Sequence, residues 1–325
     1  MNPKDAAPSV LHVDVDEESA GQRLDNYLLR QLKGVPKTLV YRIIRSGEVR
    51  VNKGRASADT RVQAGDSIRL PPLRRPLPWA GSSAGVAAAP PRAFNVLFED
   101  DHLIALDKPA GVAVHGGSGV QFGVIEQLRA ARPEARFLEL VHRLDRETSG
   151  VLLVAKKRSA LTRVQAQFRD RATAKTYLAL VLGDWPANRK VLDQPLHKFT
   201  RPDGERRVRV VDALDPDGMR AVTLVKLAAR VSGFSLLEVT IKTGRTHQIR
   251  VHLASAGHGI AGDDKYGDFE RNKSLQKDGL KRMFLHAWRL GFAHPATEAP
   301  LQLQAELPAE LSDWLKRIAP TWPQV

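Results

Sequence analysis

Apolar residues in the first seventy positions recur at spacings that predict two helices followed by short strands. GQRLDNYLLRQL, residues 21–32, carries leucines four residues apart, which predicts an amphipathic helix. KTLVYRIIRSG repeats the helical spacing after Pro36, and Gly47 predicts where that helix ends. EVRVNKGRA and RVQAGDSIRLP alternate apolar and polar positions around turns, which predicts a small β-ribbon.

The pattern changes after residue 93, where short apolar runs of strand length dominate. One of the two helices predicted in this region is SALTRVQAQFRD, with Ser159 as its N-cap. The strands do not alternate regularly with helices, as a doubly wound fold would require. We therefore predict an α+β domain built on a mixed, mainly antiparallel sheet. The predicted strands are FNVLFED, HLIALDKP, FLELV, GVLLVAKK, AKTYLALVLG, VTLVKLAARV, FSLLEVTIKTG and LQLQAELP.

Between these two regions lies a segment without periodicity. Residues 74–92, RRPLPWAGSSAGVAAAPPR, consist mainly of Pro, Ala, Gly and Ser, a composition typical of linkers. A structureless segment of this length is unusual inside a compact domain. The sequence therefore predicts a small N-terminal domain over 11–73, a flexible linker over 74–92 and a larger domain over 93–325.

Charge and composition narrow the possible functions. The 325-residue chain has a net charge of +14 and a pI near 10.2, and residues 21–75 hold ten Arg and three Lys against four acidic residues. This concentration favours a nucleic acid as the partner. The absence of cysteine excludes disulfides, thiolate zinc sites and cysteine nucleophiles. With no apolar run of membrane-spanning length and no secretory signal at the N-terminus, a cytoplasmic protein is expected.

One acidic residue stands in an unusual setting. In ELVHRLDRETSG, residues 139–150, Asp145 lies between Arg143 and Arg146 directly after an apolar run. Two interpretations are open from these residues alone. The segment could be a surface turn with local ion pairs, or Asp145 could be a catalytic acid kept ionised beside a polyanionic substrate.

A second polar segment, IKTGRTHQIRVHLASAGHGI, predicts a strand, a turn and a helix. Thr246 is predicted to cap the helix, which should run to about Ala256. Arg245 and the free N–H groups at the helix start would form an anion site. Arg250 lies at the edge of the apolar stripe, and a buried arginine needs an acidic partner. Asp145 is the candidate for that partner.

Other common chemistries find little support in the sequence. GxxxxGK[ST] does not occur, and the glycine-rich loop HGGSGVQFG is one residue too long for the dinucleotide fingerprint. His142, His247 and His252 do not have the spacing of metal ligands, so no metal site is expected. No pair of acidic residues lies on matching elements as a glycosidase needs.

Several of these motifs resemble known families. RLDNYL, VRVNKGR and AGDSIRL, within residues 21–71, resemble the S4-type RNA-binding module. HRLDRETSG is similar to the signature of the RluA-type pseudouridine synthases, and KTGRTHQIRVHL to a later block of that family. LFEDDHLIALDKPAGVAVHGGSG, AKTYLALV and RMFLHAWRLGFAHP match further blocks in the same order. The resemblance covers nearly the whole chain apart from the linker and the ends.

The resemblance implies a function and residue roles. Asp145 would be the essential carboxylate, attacking C1′ of a uridine or removing a proton from C2′, and Arg250 would keep it charged. Tyr177 would stack on the base and handle the C5 proton, and Arg143 would fill the space left by a flipped nucleotide. Because the reaction is an isomerisation, no cofactor, metal or nucleotide is expected. His142 is assigned only a structural or backbone-contact role.

The resemblance also implies a partner, 23S ribosomal RNA, and a monomeric enzyme that does not bind membranes. Two other functions compete with this one: an RNA-binding protein without catalysis, and a nuclease or glycosidase that uses Asp145. In the S4-like module, phosphate contacts are expected from the basic face of the second helix and the hairpin. The residues placed there are Arg42, Arg45, Arg50, Lys53 and Arg55.

Overall fold

The computed structural model describes residues 10–32, 35, 37–72, 89–116, 120–231 and 233–319. The chain divides into two compact units, residues 1–88 and 89–325. Most of the predicted linker, residues 74–92, lies outside the described residues, so its bounds stay a prediction. No helix in the described ranges is both long and apolar enough to cross a bilayer.

The N-terminal unit packs two helices on a four-stranded antiparallel sheet of order β1-β4-β2-β3. The two predicted helices and the predicted ribbon are all present. The ribbon turns at Asn52 and Lys53, whose φ angles of 49° and 69° are left-handed, a conformation typical of tight hairpins. The elements are β1 (Leu11–Asp14), α1 (Leu24–Gln31), α2 (Lys37–Arg45), β2 (Arg50–Val51), β3 (Gly54–Arg55) and β4 (Ser67–Leu70).

The C-terminal unit is built on a ten-stranded sheet, as the strand-rich sequence predicts. Its strands are β5 (Asn95–Glu99), β6 (Leu103–Lys108), β7 (Glu139–Leu140), β8 (Ser149–Ala155), β9 (Ala174–Leu182), β10 (Val191–Asp193), β13 (Val222–Val231), β14 (Phe234–Ile241), β15 (Leu285–Ala293) and β16 (Pro300–Gln304). A separate two-stranded ribbon, β11 (Leu196–Thr200) and β12 (Arg206–Val210), was not predicted.

The sheet is mixed, which confirms the predicted α+β class. The order is β10-β13-β14-β9-β15-β8-β6-β5, with β16 on β15 and β7 on β8. All of these pairs are antiparallel except β8 with β15. At this parallel junction Gly150 has a φ of 108°, and a Cβ there would lie 2.2 Å from the carbonyl oxygen of Ala287. Only glycine lets the two backbones approach so closely.

Helices cover both faces of the sheet. β8 is buried along its whole length, and its side chains alternate between two apolar clusters. Leu152 and Val154 pack in one cluster with residues of α3 and α5, whereas Leu153 packs in the other with residues of α4. The helices are α3 (Val124–Ala131), α4 (Arg158–Arg169), α5 (Gln248–Ser255), α6 (Phe269–Lys277) and α7 (Ala309–Ile318).

Two predicted helix starts are wrong. α4 begins at Arg158, and the residue at its N-cap is Lys157 rather than Ser159. α5 begins at Gln248 with His247 at the N-cap, so Thr246 does not cap it. In both cases the sequence offers a hydroxyl close to the helix start. The backbone instead uses a residue whose side chain makes no capping hydrogen bond.

Candidate active site

Asp145 lies in the loop between β7 and β8, with 27% of its side chain exposed. The loop closes on itself, because the Thr148 N–H donates to the Asp145 carbonyl at 3.1 Å. The two flanking arginines do not neutralise the carboxylate: among the described ion pairs, those of Asp145 involve Arg250 and His247. Arg146 instead donates to the Gly111 carbonyl at 2.9 Å. Among the described residues, the arginines that flank Asp145 in the sequence are therefore not its ion-pair partners.

A buried lysine at the end of β6 hydrogen-bonds to the backbone of the Asp145 loop. Lys108 is fully buried, and its Nζ donates to the carbonyls of Pro109, Val112 and Arg146 at 2.8, 2.9 and 3.1 Å. Burial lowers the pKa of this ammonium to about 7. Lys108 therefore ties the residue next to Asp145 to the end of a core strand.

The structure brings Arg250 of α5 to Asp145, as predicted: Nη1 lies 3.7 Å from Asp145 Oδ2. Asp145 is nevertheless not the acid that satisfies this buried guanidinium, which is a correction to the sequence-based expectation. Nε and Nη2 donate to the two oxygens of Asp263 at 2.8 and 2.7 Å. A bidentate pair of this kind fixes the plane of the guanidinium. Asp263 thus orients Arg250, and the remaining nitrogen faces Asp145.

Asp263 belongs to the segment GDDKYG, residues 262–267, which the sequence reasoning missed. Its side chain is 1% exposed and also accepts from the N–H groups of Lys265 and Tyr266 at 2.8 and 3.0 Å. A Cβ at Gly262 would lie 2.3 Å from the Arg282 carbonyl oxygen. The available signal in the sequence was a short segment in which two glycines enclose an acid and a tyrosine. No spacing rule links this segment to Arg250.

His247 was considered only as a metal ligand and is the second residue that the sequence reasoning missed. Its Nε2 lies 4.0 Å from Asp145 Oδ2, and its side chain is 17% exposed. Its Nδ1 lies 2.8 Å from the Tyr266 hydroxyl. The carboxylate of Asp145 is therefore approached by two nitrogen-bearing side chains from the α5 region.

Tyr177 lies on β9, beside the same cleft. It lines a recess together with Asp145, Arg143 and Arg250. Burial, together with the negative charge of Asp145, raises the pKa of the hydroxyl above its ordinary value, so Tyr177 is protonated at neutral pH. The adjoining cleft over Asp145 and His247 has a volume of about 450 Å³, within the range of ligand pockets.

The rim of the cleft is basic. Arg143 is exposed and lines the three cavities that contain Asp145. At the predicted anion site, Arg245 already makes hydrogen bonds within the protein. The Arg245 N–H donates to Gln248 Oε1 at 3.0 Å, and its Nε donates to the Arg220 carbonyl at 3.1 Å. Lys198, from the β11–β12 ribbon, adds a further cation to the rim.

His142 has the environment of a structural residue. Its Nε2 accepts from the Leu153 N–H at 3.1 Å, and its ring stacks on Phe168 with centroids 5.1 Å apart. Burial lowers its pKa to about 4, so it stays neutral. Among the described residues, His197, Asp215 and Asp217 bring potential metal ligands within 4.8 Å of one another. None of these three lines the cavities around Asp145.

The N-terminal unit brings its predicted basic residues together on α2 and the β2–β3 hairpin. Arg50 and Arg55 are register partners, and Arg55 Nη2 donates to the Arg45 carbonyl at 3.2 Å. Four of the five side chains are exposed and that of Arg50 is half-buried. Beside them Tyr41, Arg45 and Arg55 line a recess of about 580 Å³. The five predicted residues are Arg42, Arg45, Arg50, Lys53 and Arg55.

The site combines a buried tyrosine, a basic rim and an acid that lies beside a buried arginine. Comparison with protein families agrees with this arrangement. Residues 102–255 match the family model described as RNA pseudouridylate synthase, and residues 22–68 match the S4 domain. The chain belongs to the RNA pseudouridylate synthase family, and it carries an S4 domain in its N-terminal unit.

Relatives cover nearly the whole chain. It is 49% identical over 318 residues to the ribosomal large subunit pseudouridine synthase C of Escherichia coli, covering 97% of this chain and 98% of the relative. The enzyme of the same name from Vibrio vulnificus is 49% identical over 301 residues, covering 92% of this chain and 93% of the relative. Among solved structures, human RNA pseudouridylate synthase domain containing 4 aligns with a TM-score of 0.57 and 29% identity, covering 69% of this chain and 92% of that one.

Proposed function

We propose that this protein isomerises uridine to pseudouridine in ribosomal RNA of the large subunit, with Asp145 as the catalytic carboxylate. The observation that carries the proposal is the cleft in which Arg250, oriented by Asp263, faces the Asp145 carboxylate at 3.7 Å. In the reaction the C1′–N1 bond breaks, the uracil rotates, and C1′ bonds to C5. The hydrogen on C5 leaves as a proton and N1 gains one, so the net composition does not change.

Asp145 acts in its ionised form by either of two routes. It can add to C1′ as the C1′–N1 bond breaks and leave when C1′–C5 forms, or it can take a proton from C2′ and return it. Arg250 Nη1 lies 3.7 Å from Asp145 Oδ2, so the guanidinium attracts the carboxylate within the partly buried cleft. Both routes need the same residue in the same protonation state.

Tyr177 stacks on the uracil and takes part in transferring the C5 proton. The raised pKa of its hydroxyl makes it protonated at the start of the reaction. It can therefore accept the C5 proton only as its own proton passes to another acceptor. A Tyr177→Phe substitution keeps the ring and removes this relay. It separates the stacking role from the proton-transfer role.

Arg143 and Arg245 hold the RNA around the flipped nucleotide. The target base is unreachable while stacked in a helix, and flipping it costs a few kcal/mol. Arg143 is exposed at the mouth of the cleft and can occupy the space the base leaves. Arg245, also on the rim, supplies positive charge for a flanking phosphate. Both assignments depend on the presence of RNA in the cleft.

The large-subunit ribosomal RNA, 23S in bacteria, is the proposed substrate, because the relatives just described are named as pseudouridine synthases of the ribosomal large subunit. The S4 domain supplies phosphate contacts through Arg42, Arg45, Arg50, Lys53 and Arg55. The net charge of +14 favours such a polyanionic partner. We place the enzyme in the cytoplasm, acting as a monomer.

Asp145→Asn tests the proposal. The substitution keeps size and hydrogen-bonding reach but removes the charge, so isomerisation should be lost while RNA affinity stays within a few-fold. Release of tritium from C5-labelled uridine in a large-subunit RNA transcript measures turnover. Asp170→Asn, at the C-cap of α4 where the acid's side chain is 67% exposed, is the matched control and should behave as the parent.

The result also separates the competing functions. Turnover by Asp145→Asn within tenfold of the parent would remove Asp145 from catalysis. An RNA-binding protein without catalysis would release no tritium even in the parent. A nuclease or glycosidase would change the mass of the RNA or release free base, whereas isomerisation leaves the RNA mass unchanged.

A further inference from the structure

His247 has a backbone conformation that few residue types favour. It lies at the start of α5 with φ 53° and ψ 20°, in the left-handed region. Glycine and asparagine adopt this region most readily, and other residues do so at a cost of about 1–2 kcal/mol. The backbone therefore tolerates a histidine here, as it does asparagine, but does not require one. Its side chain should have a reason of its own.

Tyr266 fixes how the imidazole presents its nitrogens. The Tyr266 hydroxyl accepts from the Val208 N–H at 3.0 Å, and its own proton can be donated to His247 Nδ1, 2.8 Å away. A neutral imidazole that accepts at Nδ1 carries its proton on Nε2. The two rings also meet edge to face, with centroids 5.5 Å apart. A Tyr266 donor therefore corresponds to the Nε2–H tautomer of His247.

The surroundings keep this imidazole neutral. Burial lowers the pKa of His247, and the cationic groups nearby act in the same direction, whereas the carboxylates oppose them. The lowering prevails. The charged groups around the ring are Asp145, Asp263, Arg250 and Lys265.

Nε2 of His247 and Nη1 of Arg250 both approach the same oxygen of Asp145. Nε2 of His247 is 4.0 Å from Asp145 Oδ2, and Nη1 of Arg250 is 3.7 Å from that oxygen. Tyr266 contacts both donors, since the Arg250 guanidinium lies 5.1 Å from its ring centroid. Both nitrogens therefore approach Oδ2 within ion-pair distance, the arginine oriented by Asp263 and the imidazole in contact with Tyr266.

We propose that His247 is a positioning residue that, together with Arg250, holds Oδ2 of Asp145 through its Nε2–H, so that Oδ1 faces the reacting nucleotide. Tyr266 sets the position of the imidazole proton. This inference rests on the proposed function, because it assumes that Asp145 is the reacting carboxylate. It adds a second donor to that carboxylate and a tautomer-setting hydroxyl behind it.

Two substitutions separate the donor role from the backbone role. In His247→Gln the side-chain amide can reach as far as Nε2, but glutamine is poorly suited to a left-handed φ. In His247→Asn the backbone is well accommodated, but the amide is too short to reach Asp145. Comparing kcat and KM on a large-subunit RNA transcript, with thermal melting as the check on folding, distinguishes the two roles.

The expected order is parent, then His247→Gln, then His247→Asn. Losing one preorganised donor typically lowers kcat by about 10²-fold, so His247→Asn should fall by that amount with KM within about twofold. His247→Gln should stay within about tenfold of the parent. If His247→Asn is as active as His247→Gln or more active, the residue serves the backbone and the proposal is overturned.

Tyr266→Phe provides a test that does not depend on the left-handed backbone. Without the hydroxyl, the neutral imidazole can place its proton on either nitrogen, so kcat should fall several-fold near pH 8. At lower pH the imidazolium carries a proton on both nitrogens, and the kcat ratio of variant to parent should rise. A ratio that does not change with pH would overturn the tautomer assignment. Activity in Asp145→Asn would instead overturn the proposed function itself.

Discussion

Arg250 stands between two acids that have different tasks. Asp263 is buried and binds the guanidinium at two points, whereas Asp145 lies in the cleft and meets a single nitrogen. Because Asp263 accepts hydrogen bonds from two nitrogens of the guanidinium, the third nitrogen, which faces Asp145, is held in place before any substrate binds. A substitution of Arg250 would therefore disturb folding and catalysis together.

The sequence predicted that Asp145 lies close to Arg250, but it did not predict that Asp263 is the main partner of this arginine. The motif around Asp145 is contiguous and specific, and a buried-edge arginine demands an acid. Which acid it takes depends on how the turn of residues 262–267 packs against α5. Nothing in the local pattern of either segment encodes that packing.

Asp263→Asn should lower the free energy of unfolding by about 3–5 kcal/mol near pH 7, because it leaves the buried guanidinium without its charged partner. It should also flatten the acid side of the stability profile. Burial raises the pKa of Asp263, but the bonds from Arg250 and two backbone N–H groups outweigh burial and leave that pKa lowered. Because its pKa is lower in the folded protein than in the unfolded chain, the Asp263 carboxylate stabilises the fold fully at pH values above the unfolded pKa. This stabilisation is lost as the pH falls through the folded pKa.

Urea unfolding between pH 7 and pH 2 measures this effect, with Asp264→Asn as the control. Asp264 is 83% exposed and lies 3.5 Å from Arg250, so its substitution should change stability by less than about 0.5 kcal/mol. Equal losses in the two variants would contradict the assignment of Asp263 as the principal partner.

At the scale of elements, the parallel junction of β8 and β15 supports the Asp145 loop. β8 begins at Ser149, four residues after Asp145, and its first two residues pair with His286 and Ala287. Ser149 Oγ lies 2.8 Å from His286 Nδ1 and accepts from Arg282 Nη2 at 2.9 Å. The loop therefore leaves a fixed strand end rather than a mobile connection.

Several elements were predictable from apolar periodicity, whereas the strand β15 and the helices α3, α6 and α7 were not predicted. The long runs that form β8, β9, β13 and β14 were all recognised as strands. The β11–β12 ribbon was missed, because Arg206, Arg207 and Arg209 hide the alternation of Val208 and Val210. The parallel pairing of β15 with β8 could not be predicted, since strand partners far apart in sequence are chosen by packing.

Gly150→Ala should destabilise the C-terminal unit by at least about 2 kcal/mol. The added methyl group would meet the Ala287 carbonyl oxygen at 2.2 Å, and the φ of 108° is strained for alanine. Gly244→Ala is the control, because a Cβ there has no neighbour within 4 Å. Thermal unfolding of both variants checks the difference. A melting temperature of Gly150→Ala at or above that of Gly244→Ala would contradict this account of the junction.

At the scale of the whole molecule, the two units have separate cores. The apolar cluster of the N-terminal unit is formed by buried residues between Val15 and Leu70, and the other clusters use residues from Leu103 onwards. Each unit therefore buries its own apolar surface. The charge is divided as well: residues 21–75 carry a net +9, whereas the proposed catalytic residues all lie in the C-terminal unit.

Deleting residues 1–88 should leave a folded C-terminal unit that still isomerises uridine, with weaker binding to RNA. The S4 domain is proposed to neutralise phosphates through α2 and the β2–β3 hairpin, and each such contact releases counterions on binding. Without it, the slope of log affinity against log salt concentration should become shallower. Lys53→Ala and Arg55→Ala in the full chain provide the graded comparison, each reducing the slope by about one. An unchanged slope after the deletion would mean that the S4 domain does not contact phosphate, and loss of the cooperative melt would mean that the C-terminal unit depends on it to fold.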